Sequence, residues 1–229
     1  MQPCKRLPIE AMQCSLRVDN HLLIGSANKL YLIDLKKDFT VVSHIALSRH
    51  IFSICFMNSH NVVCGQQGGQ LAMVQLQNAQ MSIVCENKVA SAIYKVIRTN
   101  FDDYALACSG GLYFATYDAR QKKFEKSDDF FLTDHLVTQI HEVSPNVFVI
   151  GVWNVPWVGI LDKRRRTLIK LECPLEDETQ CTDLVLMPGF NYRTFPFLIA
   201  RNSKAINLVN LSNFSQHRLL STPNQAGSF

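Results

Sequence analysis

The chain has 229 residues, of which 47% are hydrophobic and 18% charged, and its formal net charge is +4. This composition is typical of a globular domain, and it lacks the strong basic excess of a dedicated nucleic-acid-binding domain. No apolar run approaches the roughly 18 residues that a membrane span needs, and residues 1–6 are not followed by the apolar core of a secretory signal.

Short apolar runs predict strands along the whole chain. The runs are rich in Val, Ile, Leu, Phe and Tyr and are bounded by Gly, Asn, Asp or Ser, whereas no helical apolar period persists. Pairs of runs around a polar turn recur in chain order at 21–25 and 30–35, 61–65 and 71–76, 104–108 and 112–117, 147–151 and 157–162, and 197–200 and 205–210.

A small residue ends the first run of each pair. These residues are Gly25, Gly65, Cys108, Gly151 and Ala200, which lie 40 to 49 residues apart. Further apolar runs flank each pair, upstream at 14–18, 51–57, 92–97, 136–142 and 181–186, and downstream at 39–45, 81–85, 124–127, 167–171 and 214–220. Four strands in a repeat of about 40–45 residues are the pattern of a β-propeller blade.

The second unit resembles a WD40 repeat. His50 takes the place of the family's Gly-His histidine, and Ile54 and Phe56 match its inner strand. Residues 63–65 match the second strand of that repeat, and residues 71–76 match the third. The resemblance, which covers about residues 14–220, implies a propeller that acts as a protein-interaction scaffold.

The chain also departs from the WD40 pattern. No Trp-Asp dipeptide closes a third strand, and Asp34 and Asp162 are its nearest counterparts. Arg49-His50 and Asp134-His135 replace the Gly-His pair, and five units are visible where the family usually has seven. Residues 23–34 are equally similar to a citron-homology propeller.

We therefore predict an all-β fold, a β-propeller of four-stranded antiparallel blades with about five blades. Either the five close on themselves or the chain forms part of a larger ring. The expected organisation is an N-terminal extension or closing segment at 1–13, blades at about 14–47, 48–88, 89–132, 133–175 and 176–220, and a tail at 221–229.

One predicted face carries the turns between second and third strands and the links between blades. Its two tryptophans either pack beneath the loop at 152–157 or contact a partner protein, because Trp, Tyr and Arg dominate binding hot spots. The candidate partner-binding residues on this face are Arg49, His50, Gln66, Gln67, His135, Trp153, Asn154, Trp157, Arg201 and Lys204.

The opposite face carries basic turns between third and fourth strands. These turns either are solvated hairpin tips or hold phosphate of an anionic lipid, a nucleic acid or an acidic protein. The run at 163–166 loosely resembles the basic motif of phosphoinositide-binding propellers, without its Phe-Arg-Arg-Gly. The candidate phosphate-binding residues are Lys36, Lys37, Lys122, Lys123, Lys163, Arg164, Arg165 and Arg166, with Arg120 beside them.

No catalytic, metal-binding or cofactor-binding motif is present in the sequence, and we expect no enzyme activity, metal or cofactor. We expect His50 and His135 to make hydrogen bonds that hold a blade entrance together. The enzyme alternative is a five-bladed glycoside-processing propeller. Its carboxylates would have to come from Glu142, Asp183, Asp19 and Asp103, which share no common blade position.

Five of the eight cysteines, Cys14, Cys55, Cys64, Cys85 and Cys108, lie inside strand-like runs, and the sequence contains no Cys-x-x-Cys pair. This placement favours reduced thiols and a cytoplasmic or nuclear protein. The function that the sequence predicts is a non-catalytic scaffold that presents loop surfaces to partner proteins within a complex.

Overall fold

The computed structural model describes residues 9, 11–153, 155, 157–172, 183–191, 193–201, 205–213 and 215–221. Within these residues the regular structure consists of strands, and no helix occurs. The strands are β1 Met12–Val18, β2 His21–Ser26, β3 Lys29–Asp34, β4 Thr40–Ala46, β5 Ile51–Asn58, β6 Asn61–Gln66, β7 Gln70–Gln77, β8 Gln80–Lys88, β9 Ile93–Arg98, β10 Tyr104–Cys108, β11 Gly111–Asp118, β12 Lys123–Phe131, β13 Val137–Ser144, β14 Val147–Val152, β15 Trp157–Asp162, β16 Thr167–Glu172, β17 Asp183–Leu186, β18 Phe197–Arg201, β19 Ala205–Asn210 and β20 Gln216–Ser221.

The strands form five antiparallel sheets of four consecutive strands each. Within a sheet, each strand pairs with the next one in the chain. Sheet 1 contains β1–β4, sheet 2 β5–β8, sheet 3 β9–β12, sheet 4 β13–β16 and sheet 5 β17–β20. The prediction of an all-β fold made of five four-stranded antiparallel sheets is confirmed. Strand β1 begins at Met12, inside the segment that the sequence assigned to an extension.

The first strand of each sheet is its inner strand, and the inner strands contact one another in the order β1, β5, β9, β13, β17. Apolar side chains fill the space between successive sheets. Leu23 and Leu30 of sheet 1 pack with Val62 of sheet 2, and Phe114 of sheet 3 packs with Phe148 of sheet 4. Four such clusters join sheets 1 and 2, 2 and 3, 3 and 4, and 4 and 5.

The small residues that mark the repeat lie where the next sheet comes closest. A Cβ atom on Gly25 would stand 3.1 Å from Cγ2 of Ile51, and one on Gly65 would stand 2.7 Å from Cγ2 of Ile93. Ile51 and Ile93 open the inner strands of sheets 2 and 3. The repeat of small residues is therefore a packing requirement between neighbouring sheets.

Two Gly-Gly pairs form turns between second and third strands. Gly69 has φ +83° and Gly111 has φ +118°, so the expected left-handed backbone is present at the second glycine of each pair. The backbone carbonyl of Ala90 also lies where a Cβ on Gly69 would have to stand. These two turns therefore require glycine.

Turns between second and third strands share a face with the links between sheets, which we call the first face. Asn28 in the β2–β3 turn donates a hydrogen bond to the carbonyl of Leu47 in the following link at 3.1 Å. Ala27 in the same turn accepts from the amide of Ile51 at 2.7 Å. No helix in the described part of the chain is long and apolar enough to cross a membrane.

Candidate functional site

A β-bulge interrupts the inner strand of four successive sheets at the same place. The register skips Gln13 in β1, Phe52 in β5, Tyr94 in β9 and Thr138 in β13. A bulge leaves one residue out of the ladder and changes the direction of its side chain. The bulge recurs at the same place in these four sheets. In each of them it therefore turns one inner-strand side chain in the same direction.

All four bulged residues line one cavity of about 580 Å³. We call this cavity the channel mouth, since it lies between the starts of the inner strands on the first face. Its lining consists of Gln13, Phe52, Tyr94, Leu136, Thr138, Gln139 and Trp153. The volume is within the range of roughly 300–1,000 Å³ that ligand-binding pockets usually have.

Aromatic rings form much of the wall of the channel mouth. The rings of Phe52 and Tyr94 are stacked, with centroids 5.4 Å apart and an interplanar angle of 2°. Trp153 keeps 40% of its surface exposed although it is a large apolar side chain. Rings that are held in place yet open to solvent can bind a partner with little loss of side-chain entropy.

Among the described residues, no charged side chain lines the channel mouth. The nearest charge in sequence is Lys95, which directly follows the bulged Tyr94. Burial raises the pKa of the Cys14 thiol to about 11, and the backbone of Gly25 and the Lys95 ammonium partly oppose this rise. Burial likewise raises the pKa of Cys55 to about 12, and Lys95 again acts against it.

The two tryptophans of the 152–157 loop have different environments. Trp153 lines the channel mouth, whereas Trp157 is only 8% exposed. The Trp157 ring lies 5.8 Å from the ring of His135, and the ammonium of Lys170 lies 4.9 Å from its centroid. The sequence left open whether each tryptophan packs beneath the loop or is available to a partner protein. Trp157 is packed, whereas Trp153 has an exposed surface that a partner could contact.

Gln66, which the sequence analysis placed on a partner-binding surface, is fully buried. Its amide nitrogen donates to Glu86 Oε1 at 2.7 Å, and its amide oxygen accepts from the backbone of Arg49 at 2.9 Å. Ser48 also donates to Glu86 Oε1, at 2.7 Å. The structure thus corrects this assignment, because the Gln66 side chain holds the link between sheets 1 and 2 and has no exposed surface.

The expected hydrogen bonds of the two histidine rings are not found among the described residues. The ring of His50 is exposed, and its backbone carbonyl accepts from the amide of Gln67 at 2.9 Å. His135 Nδ1 is buried without a hydrogen-bond partner in the described part of the chain. The backbone amide of His135 donates to the carbonyl of Leu132 at 3.0 Å, and the His135 ring lies against the ring of Trp157, so the hydrogen bonds of both histidines in the described part of the chain involve the backbone.

The remaining partner-binding candidates are spread over the first face. Arg49, Gln67 and Arg201 are exposed, and none of them lines the channel mouth. Asn154 and Lys204 lie outside the described residues. Of the ten candidates, the structure brings only Trp153 to the cavity, among the residues that it describes.

The basic turns on the opposite face are partly neutralised. The ammonium of Lys163 lies 2.9 Å from Asp103 Oδ2 and 3.7 Å from Asp129 Oδ2, and it stands 3.9 Å from the centroid of Phe114. Arg166 pairs with Asp129 at 3.1 Å. Lys163 and Arg166 therefore connect sheet 4 to sheet 3, which corrects the expectation that they point freely to solvent.

Other basic side chains of this face also meet carboxylates. Lys37 lies 3.9 Å from Asp34, Lys123 3.0 Å from Glu125 and Arg165 3.7 Å from Asp162. Lys36, Lys122 and Arg164 are exposed. Phosphate binding at this face stays a prediction.

The sequence analysis did not single out the bulged residues. Phe52 and Tyr94 lie in apolar runs that the sequence assigns to the first strands of their repeats, and nothing there distinguishes them from the other apolar residues of these runs. The available signal was local, since an apolar bulky residue directly follows a buried one at Ile51-Phe52 and Ile93-Tyr94. Two adjacent apolar residues at a strand start fit a bulge, but they fit a strand buried on both faces equally well.

Solved structures with the same arrangement of sheets include propellers. The Cps50 (Swd1) β-propeller domain of Myceliophteria thermophila matches with a TM-score of 0.67 and 16% identity, over 95% of this chain and 67% of that one. The Pan2 WD40 domain of Neurospora crassa matches with a TM-score of 0.68 and 10% identity, over 93% of this chain and 66% of that one. The fold is a β-propeller, similar to that of these WD40 domains.

The propeller is also similar to parts of longer proteins. Hydrazine synthase of Kuenenia stuttgartiensis matches with a TM-score of 0.68 and 12% identity, over 96% of this chain and 69% of that one. The extracellular domain of a putative one component system from B. thetaiotaomicron matches with a TM-score of 0.66 and 15% identity, and this chain spans 29% of its length. No protein-family model and no curated protein sequence matches the chain.

Of the carboxylates considered for a glycoside-processing propeller, Glu142, Asp19 and Asp103 do not line the channel mouth, and the side chain of Asp183 lies outside the described part of the chain. Glu142 accepts backbone hydrogen bonds from Asn100 at 2.7 Å and from Asn146 at 3.1 Å, in turns on the opposite face. Asp103 is paired with Lys163. Glu142 and Asp103 thus hold turns together. Within the described part of the chain, the structure does not bring two of these carboxylates to one cavity.

Proposed function

We propose that this propeller is a non-catalytic protein-interaction scaffold and that its channel mouth binds a segment of a partner protein. The observation that carries the proposal is the repeated bulge, which brings four inner-strand side chains to one cavity. Two of these side chains are the stacked rings of Phe52 and Tyr94, and Trp153 borders them.

The chemistry of the channel mouth suits a protein ligand. Aromatic residues are enriched where protein interfaces concentrate their binding energy. The Gln13, Thr138 and Gln139 side chains supply amide and hydroxyl groups beside the rings, which can orient a bound chain. A rigid cavity of this kind accepts an inserted side chain without ordering a loop first.

A non-catalytic role agrees with the chemistry available in the described residues. Among the described residues, no carboxylate, histidine or cysteine lines the cavity, and no cluster of His, Cys, Asp and Glu could hold a metal ion. The free cysteines Cys14, Cys55, Cys64, Cys85 and Cys108 support the cytoplasm or the nucleus as the compartment. We expect the partner to belong to a multiprotein complex.

The test is a quantitative pull-down from native extract with tagged wild-type and variant chains. We expect Trp153→Ala and Phe52→Ala each to lose a partner that the wild type captures. Phe130→Ala is the matched control, because Phe130 is 48% exposed on the outer strand β12, away from the cavity. The proposal would be contradicted if both Trp153→Ala and Phe52→Ala captured the same partners in the same amounts as the wild type. This conclusion requires that the melting temperatures of the variants stay within a few degrees of the wild type.

A further inference from the structure

One cross-strand pair of residues recurs in the middle of every sheet, between its second and third strands. In sheets 1 to 4 both members of the pair are at most 4% exposed, and both belong to the apolar cluster shared with the following sheet. We call the side of a sheet that carries this pair its forward face. The pairs of these four sheets are Leu23–Leu32, Val63–Met73, Ala105–Phe114 and Val149–Ile160.

Sheet 5 has the same apolar pair, but there the pair is more exposed. Ile199 of β18 lies opposite Leu208 of β19 and opposite Val185 of β17, so the three side chains form a row across the sheet. Ile199 and Leu208 are half-buried, and Val185 is 47% exposed. Their strand neighbours Leu198 and Val209 pack against sheet 4, so the row faces away from sheet 4. The forward face of sheet 5 therefore has the pattern of a packing surface while remaining open to solvent.

Sheet 1 does not pack on this row in the described part of the chain. The contacts between neighbouring inner strands run from β1 to β17, and β17 makes no comparable contact with β1. No apolar cluster of the described residues joins sheets 5 and 1. The side of sheet 1 that faces away from sheet 2 is also closed, since Ile24 and Ile33 are 3% and 0% exposed. Of the two end faces, only that of sheet 5 is open.

We infer that the forward face of sheet 5 is a second interaction surface and that its partner is a four-stranded β-sheet of another protein chain, which docks as the next blade. The four interfaces within the propeller are of this kind, and each of them buries an apolar pair that sheet 5 repeats. A sheet with an apolar face is stable when that face is buried against another element. The inference goes beyond the proposed function, because this surface is separate from the channel mouth.

The similar propellers agree with a further blade. About a third of the Swd1 domain and of the Pan2 domain lies outside the match with this chain, so a ring of this fold accommodates more than five sheets. A second copy of this chain fits the row less well. In a head-to-tail contact it would have to offer the face of sheet 1 that carries Ile24 and Ile33, and these side chains are already buried.

Photo-cross-linking tests which protein meets this surface. The full chain with p-benzoylphenylalanine in place of Val185 is added to native extract and irradiated, and mass spectrometry identifies the linked peptides. The matched control carries the same residue in place of Ile83, which is 40% exposed on the outer strand β8 of sheet 2. We expect position 185 to link to a protein of different sequence at about tenfold the yield of position 83. The linked peptide should lie in a repeat of four short apolar runs.

A charge placed in the row should remove this partner. We expect Val185→Lys to lower its capture about tenfold or more, because an unpaired ammonium would be buried between two apolar faces. Ile83→Lys should leave the capture within about twofold of the wild type. Melting curves verify that both variants fold. Both should also retain the partner that Trp153→Ala loses, which distinguishes this surface from the channel mouth.

Several results would overturn the inference. One is a cross-link from position 185 to a second copy of this chain, and another is a cross-link to sheet 1 of the same chain, which would mean a closed ring. A linked protein without the four-run repeat, equal yields at positions 185 and 83, or unchanged capture by Val185→Lys would also overturn it. None of these results bears on the proposed function, which depends on Trp153 and Phe52.

Discussion

Phe52 and Tyr94 stack face to face, with ring centroids 5.4 Å apart, although they belong to the inner strands of different sheets. Each ring is the residue that a bulge leaves out of its own ladder. At each bulge the residue is not paired with the neighbouring strand of its own sheet. Its ring instead contacts the ring of the bulged residue in the other sheet. The bulges also place both rings on the wall of the channel mouth.

This contact should be measurable as a coupling between the two side chains. We expect Phe52→Ala and Tyr94→Ala to be non-additive by about 0.5–1.5 kcal/mol in the free energy of unfolding, which is the usual strength of an aromatic pair. Denaturant titration of the wild type, both single variants and the double variant gives this number. The same cycle with Phe52 and Phe124 should be additive, because the Phe124 ring contacts Tyr104 edge to face and Tyr117 at a tilt instead. A coupling near zero for Phe52 and Tyr94 would show that the stacking adds no stability.

The sequence predicted the sheets better than it predicted the site, for a physical reason. The markers Gly25 and Gly65 lie where a side chain of the next sheet comes close, Ile51 and Ile93 respectively, and small residues recur at the matching positions of the other repeats. A recurring constraint leaves a period, and a period can be recognised in one sequence.

The site depends on the register of the inner strands, which does not produce a repeating residue type in the sequence. The bulged positions hold Gln13, Phe52, Tyr94 and Thr138, which differ in size and polarity. What they share is a place in the register, and register depends on pairing with another strand. The burial of Gln66 was unpredictable in the same way, since its partner Glu86 lies 20 residues away in another strand.

The packing role of the marker residues predicts the effect of enlarging one of them. Gly65→Ala should destabilise the chain by about 1–3 kcal/mol, because the new methyl group would meet the Ile93 side chain at 2.7 Å and the core must shift. In a chain that already carries Ile93→Ala, which is itself destabilising, Gly65→Ala should lower the free energy of unfolding by less than it does in the wild type. Thermal and denaturant unfolding of the four chains tests this expectation.

Gly159→Ala provides the control for that series. Its nearest neighbours are the ends of the Leu168 and Trp157 side chains, at 3.1 and 3.2 Å, which can move more easily than the branched Ile93. We expect it to cost less than Gly65→Ala. Equal costs at both positions would mean that glycine is needed for its backbone and not for the approach of the next sheet.

The contact between sheets 3 and 4 predicts different effects for neighbouring basic residues. Lys163→Met should cost about 1–3 kcal/mol of stability, because it leaves Asp103, at 16% side-chain exposure, without its counterion. Arg164→Met should change stability by no more than about 0.5 kcal/mol, since Arg164 is exposed. Chemical denaturation distinguishes the two. An equally small effect of both substitutions would show that the Lys163 ion pairs are not needed to join the sheets.

The buried thiols predict low reactivity at neutral pH and a loss of stability in alkali. Burial raises the pKa of Cys14 to about 11 and that of Cys108 to about 12, from the ordinary thiol value of 9.0. Little thiolate therefore forms in the folded chain at pH 8, and alkylation by iodoacetamide should be much slower than in the unfolded chain. Mass spectrometry of peptides from chains labelled with and without denaturant measures both rates.

The same shifts fix the direction of the pH dependence. The unfolded chain releases thiol protons above about pH 9, whereas the folded chain keeps those of Cys14, Cys55 and Cys108 to a higher pH. Fewer protons bound in the unfolded state mean that stability falls as pH rises from about 9 toward 11–12, and that the full contribution is present below pH 9. Cys108→Ala should reduce this slope relative to the wild type in denaturant titrations at pH 8 and 10. A slope that is the same in both chains would show that Cys108 is not responsible for it.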